Sequence, residues 1–139
     1  MSRANRKIRD FAERLIAYET SGDEFSETKT PAAFLVCDKL RPQLATLMGD
    51  GGFRALLWRA LVLANTDVRW LSSVQVKPDG SFEGVEELET KIDPEQLVEG
   101  GVVLVGQLLG LLVAFIGEKL TVRLVRDTWP QIPINDIFV

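Results

Sequence analysis

The sequence predicts an all-α, or mainly α, fold: a bundle of about four main helices around one long, very apolar C-terminal helix, with a small β-hairpin near 74–84. Three observations predict it. Apolar residues recur at spacings of three and four along most of the chain, the mark of helices with one buried face. Thr30-Pro31 and Asp93-Pro94 each pair a capping side chain with a proline whose φ already suits a first helical turn. One short stretch alternates apolar and polar residues on either side of a Pro-Asp-Gly turn.

The first helix is expected over roughly residues 4–19, where Ile8, Phe11, Leu15 and Tyr18 share a face with Ala12 and Ile16 alongside. Residues 21–30 are polar and aperiodic and read as a linker, so this helix is expected to dock loosely or to exchange between chains. After Thr30-Pro31, the residues Ala33, Val36, Cys37, Leu40, Leu44, Leu47 and Met48 form one stripe, with a kink or a break expected near Lys39–Arg41 because Pro42 removes a backbone donor. Gly49 ends that segment. Asp50 stands where the next helix starts, and Phe53, Leu56, Leu57, Ala60, Leu61, Ala64, Val68 and Leu71 line one face of it. Val74 and Val76 alternate with polar residues before Pro78-Asp79-Gly80 and Phe82, which predicts the hairpin; two strands alone are marginal in water, so it must lie against helices. Residues 85–90 are expected to add a helical turn or two.

From Asp93-Pro94 to about Thr128 only glycines interrupt the helical pattern, and Trp129-Pro130 ends it. Within it, residues 101–117 (GVVLVGQLLGLLVAFIG) carry Gln107 as the sole polar side chain. A membrane span needs about 20 apolar residues, and Gly106 and Gly110 have the GxxxG spacing that lets helices approach closely in lipid. A helix apolar on every side can equally be buried all round by its own domain, with the glycines marking close helix crossings. Acidic residues flank its N-terminal end, which does not suit a membrane anchor. The soluble reading is preferred.

With 139 residues, 46% of them apolar, the chain is expected to form a single domain over 1–139 with a core of its own. The net charge of −4 argues against nucleic acid as a partner. Its distribution is uneven: Arg3, Arg6, Lys7, Arg9 and Arg14 crowd the first helix, whereas residues 79–99 hold eight carboxylates against Lys91 alone. Cys37 is the one cysteine, so no internal disulfide can form, and no apolar stretch follows the basic N-terminus as in a secretory signal. Both observations suit a cytoplasmic protein.

The chain has no histidine, which removes histidine-based nucleophile systems, histidine acid–base catalysis and the common catalytic zinc sites. Cys37 falls on an apolar stripe and reads as a small hydrophobe. Gly49-Asp50-Gly51-Gly52-Phe53-Arg54 lacks the spacing of known phosphate loops and reads as a helix–helix connection. Glu83, Glu86, Glu87 and Glu89 read as a solvated acidic edge rather than an acid–base or cation site. Trp58 lies off the main stripe of its helix beside Arg54, Arg59 and Val62, a combination favoured at interface centres. Together with Arg6 and Arg9 on the first helix, Arg54, Trp58 and Arg59 are the candidate interaction surface. No catalytic, cofactor-binding or metal-binding residue is expected.

The segments CDKLRPQLATLMGDGGFRALLWRAL (37–61) and GQLLGLLVAFIGEKLTVRLVRDTWP (106–130) resemble stretches of small, uncharacterised helical bacterial proteins. The resemblance implies a bacterial origin and a helical domain, and brings no activity with it. The function expected is a non-enzymatic interaction, adaptor or regulatory module of a bacterial cytoplasm, with a protein partner or self-association. The alternatives are a membrane-associated protein using 101–117 and a bundle binding a small apolar ligand beside Gly106 and Gly110.

Overall fold

A computed structural model describes residues 3–22, 31–85 and 87–132. In chain order these form α1 (Arg3–Gly22), α2 (Ala32–Asp67), a 3₁₀ turn (Arg69–Ser73), β1 (Gln75–Val76), β2 (Phe82–Glu83), α3 (Leu88–Lys91), α4 (Pro94–Ile116) and α5 (Glu118–Thr128). The fold is mainly helical with one two-stranded antiparallel sheet, as the periodicity predicts. Thr30 and most of the linker lie outside the described residues.

Glycine sets the two sharp breaks. Gly49 (φ 81°, ψ 162°) divides α2 into two limbs, and Gly117 (φ 88°, ψ 161°) separates α4 from α5. Both dihedral pairs lie in a region that side chains with a Cβ avoid. The single long C-terminal helix is therefore two helices. No break occurs near Lys39–Arg41: α2 runs through Pro42 with helical dihedrals, and the break comes at Gly49 instead. Pro42 lies on the exposed side, so the donor it removes is lost facing solvent rather than inside the core. Asp93 takes the N-cap position of α4, with Pro94 in the first turn and Glu95 where the helix dipole favours a carboxylate, although the Asp93 side chain makes no capping bond.

The core gathers the stripes read from the sequence. Ile8, Phe11, Ala12, Leu15 and Ile16 of α1 are buried, as are Ala33, Val36, Cys37, Leu40 and Leu44 of the first limb of α2. The second limb adds Phe53, Leu56, Leu57, Ala60, Leu61 and Ala64. Tyr18 and Leu47 fall outside the core, and Phe34, unassigned from spacing, is fully inside, edge-on to Phe82 of the hairpin at 4.7 Å. Cys37 is a core residue, and burial, the largest cause, pushes its thiol pKa far above the ordinary value.

α4 packs on α1 and α2 through Gly101, Val102, Leu104, Val105, Leu108, Leu109 and Leu112. It is not buried all round. Only 44% of its most apolar stretch is enclosed, and Ala114 and Phe115 face outward. Nor do Gly106 and Gly110 mark helix crossings, since a Cβ on either would meet nothing within 4 Å. The crossings are at Gly100 and Gly101. A Cβ on Gly101 would lie 2.8 Å from the Ala33 Cβ and 3.4 Å from Ile16, so α1, α2 and α4 meet there. A Cβ on Gly100 would run into Trp70 and lie 2.9 Å from Val68.

α5 closes the fold against the first limb of α2. Trp129 is buried, and its indole N–H donates to Glu19 Oε1 at 2.8 Å. Lys39 Nζ reaches the same oxygen at 2.7 Å. Gln43 Nε2 donates to Thr128 Oγ1 at 2.8 Å, and Tyr18 Oη to Gln131 Oε1 at 3.3 Å. Glu19 is thereby a buried carboxylate with both an ionic and a neutral donor, the condition under which burying a charge is tolerable.

Candidate functional site

The second limb of α2 carries a stripe along the edge of the core. Arg54, Trp58, Leu61 and Asn65 follow each other at spacings of four, three and four, with Val62 one turn beyond Trp58. Trp58 is 60% exposed and Val62 46%, while Leu61 turns inward. Arg54 and Arg59 are exposed, and neither makes an ion pair with a described residue. An indole in water beside two uncommitted guanidinium groups leaves apolar and cationic surface unused by the fold.

Across from this stripe lie the 3₁₀ turn and the hairpin. Together they form a groove of about 390 Å³, walled by Trp58, Leu61, Val62, Leu71 and Val74, with Asn65, Ser72, Gln75 and Val76 supplying its polar groups. That volume is at the low end for ligand sites, room for a few side chains. Asn65 Oδ1 is buried there with no hydrogen-bond partner among the described residues. An acceptor left this way costs about 1–3 kcal/mol until a donor reaches it.

The hairpin positions the groove's other polar edge. Gly80 N–H donates to Lys77 O at 2.9 Å and Lys77 N–H to Ser81 O at 2.7 Å, with Gly80 at φ 87°. This is a three-residue loop closing through a glycine bulge. Asp79 Oδ1 accepts from Ser81 N–H at 2.9 Å and from its hydroxyl, and these two bonds hold the carboxyl pKa below its ordinary value. Asp38 shifts the other way, raised mainly by burial with a contribution from Asp79, against the pull of Arg41. The tip is anchored where Gly80 sits on Phe53.

Register then fixes the edge. Bonded and non-bonded pairs alternate in an antiparallel ladder. With Lys77 and Ser81 bonded, the pair Val76–Phe82 is non-bonded, so the Val76 N–H and C=O point away from β2. Among the described residues neither has a backbone partner.

The candidate residues divide between two places. Trp58 lines this groove, Arg54 lies one turn earlier on the same stripe, and Arg59 is exposed outside the lining. Arg6 and Arg9 lie on α1: Arg6 is exposed, and Arg9 is 3.8 Å from Glu13 and lines a different, smaller groove of about 190 Å³ with Ile8, Asp67, Gly106, Gln107 and Gly110. The two grooves described share no lining residue. A third depression, formed by Pro42, Gln43, Thr46, Leu47 and Leu124, is an open shelf without an unpartnered polar atom. Among the described residues no cluster of carboxylates or thiols converges as a cation site would require. Glu87 pairs with Lys91 at 3.0 Å, and Glu86 lies outside the described residues.

Sequence reasoning missed Asn65 and the outward edge of Val76. Asn65 is the uncharged polar side chain of the stripe that runs from Arg54 through Trp58, which was a usable signal. The Val76 edge depends on the register, which only the bulged turn reveals. The chain matches no protein-family model, no curated protein and no solved structure, so the site is read from its own geometry.

Proposed function

We propose that the chain is a non-enzymatic protein-interaction module of a bacterial cytoplasm, an adaptor or regulatory unit that receives its partner on the Trp58 face. One observation carries this reading: a tryptophan 60% exposed, between arginines that have no ionic partner among the described residues, opens onto a groove holding a buried acceptor that none of the described residues satisfies. Tryptophan and arginine dominate the energetics of interface centres, and an orphaned acceptor is what a partner's donor would satisfy. Affinity capture from the native host with wild-type chain and Trp58→Ala tests it. The variant folds normally by far-UV circular dichroism and loses the captured partner. Identical capture by both chains removes the proposal.

A second reading has its own observation. α4 is long and apolar enough to cross a membrane and is 44% buried over its most apolar stretch, with Phe115 65% exposed at one end. Recovery of untagged protein only with detergent favours membrane association; full recovery in buffer discards it. The groove beside Gly106 and Gly110 supports apolar-ligand binding poorly. It is small for a ligand site, and Arg9, Asp67 and Gln107 line it.

A further inference from the structure

We propose that the Trp58 groove is a strand-receiving site and that its occupant is residues 133–139 of a second copy of this chain, an inference that rests on the Trp58 face being the docking surface.

Four features of the groove specify the occupant. The outward Val76 N–H and C=O offer one donor and one acceptor at a strand edge, which an extended segment satisfies and a helix, with its backbone already bonded, does not. Asn65 Oδ1 requires an N–H donor from outside the fold. Trp58, Leu61, Val62, Leu71 and Val74 require apolar side chains. Arg54, one turn before Trp58 on the same stripe, favours a carboxylate just beyond the groove's end.

Residues 133–139 read Pro-Ile-Asn-Asp-Ile-Phe-Val. Proline disfavours a helix ahead of it and sets an extended start. Along a strand Asn135, Ile137 and Val139 fall on one face, combining an amide donor with two apolar side chains, and Asp136 supplies the carboxylate. Other acidic-and-apolar stretches of the described chain are already committed to β2, α3 and α4.

A second copy is the source because of where the same copy's tail leaves. Thr128, Trp129 and Gln131 are held by Gln43, Glu19 and Tyr18, all in α1 or the first limb of α2. None of these anchors belongs to the second limb or the hairpin. Reciprocal exchange of two such tails is a closed, two-fold arrangement.

The test uses full-length chains in sedimentation equilibrium. Wild type self-associates, and Trp58→Ala (groove lost) and Ile137→Glu (tail lost) each weaken association about tenfold or more. Mixing the two variants restores a heterodimer, because the Ile137→Glu chain keeps its groove and the Trp58→Ala chain keeps its tail. The synthetic peptide QIPINDIFV dissociates the wild-type dimer and shifts the emission of Trp58 to shorter wavelength. A wild-type chain monomeric at every concentration overturns the proposal, as does an Ile137→Glu chain that associates normally. So does a monomer whose Trp58 emission moves to longer wavelength on Ile137→Glu, which assigns the groove to its own tail. A foreign partner lost on Trp58→Ala but retained on Ile137→Glu overturns this inference alone and leaves the docking surface standing.

Discussion

Two glycine pairs on the same helix behave in opposite ways. Gly100 and Gly101 are buried where α4 meets Val68, Trp70, Ala33 and Ile16, and any side chain there collides. Gly106 and Gly110, two turns on, face open space. The first pair gives up helix propensity for close approach of three helices. The second gives it up for nothing visible among the described residues, although each glycine costs about 1 kcal/mol relative to alanine in a helix. The GxxxG spacing singled out the wrong pair, because spacing reports which residues share a face and not whether anything lies against it.

The comparison can be broken by substitution. Gly101→Ala forces its Cβ against the Ala33 Cβ, a contact between two backbone-fixed atoms, and is expected to cost about 2–3 kcal/mol in urea unfolding. Gly100→Ala should cost less, since Trp70 is half-buried and can turn aside. If both are neutral, the three-helix junction is wrongly described. Glu19→Ala should cost about 1–3 kcal/mol, because the Trp129 N–H loses its acceptor inside the core. Glu19→Gln, which still accepts from the indole, should recover part of that loss. Gly106→Ala and Gly110→Ala should each raise stability, by about 0.5–1 kcal/mol. A loss of stability instead would mean that something packs on that strip.

The smallest effect belongs to the hairpin. Ser81 lowers the Asp79 pKa in the folded state, so the stabilisation is complete above the unfolded value near 3.8 and disappears as pH falls through the lowered folded value. Protection of the Ser81 amide from exchange, taken relative to the unfolded rate at the same pH, should therefore fall only in strong acid, and in Asp79→Ala at every pH. Cys37, with its thiolate suppressed by burial, should resist alkylation in the native protein and react once it unfolds.

Much of the fold was legible because burial follows periodicity: seven of the eight residues of the Phe53–Leu71 stripe read from spacing are buried, and Val68 is partly so. Pro42 misled because its cost depends on which side of the helix it occupies, and a sequence does not state that. Gly117 was visible as a residue but not as a break, since glycines inside helices and at their ends look alike until φ is known. At the candidate site, Trp58 announced itself by standing off the apolar stripe. Asn65 and Val76 did not, because their importance lies in bonds they fail to make, and those depend on tertiary placement.

The carboxylate oxygen shared by Lys39 and Trp129 also constrains how the molecule is made. Its indole donor lies 110 residues downstream, so during synthesis the first helix leaves the ribosome long before that partner exists. Until then, sealing the glutamate inside would leave it with the lysine as its sole donor. Final closure of the N-terminal helix therefore waits for the last helix to emerge, and chains halted before Trp129 should be the ones that chaperones and proteases find open.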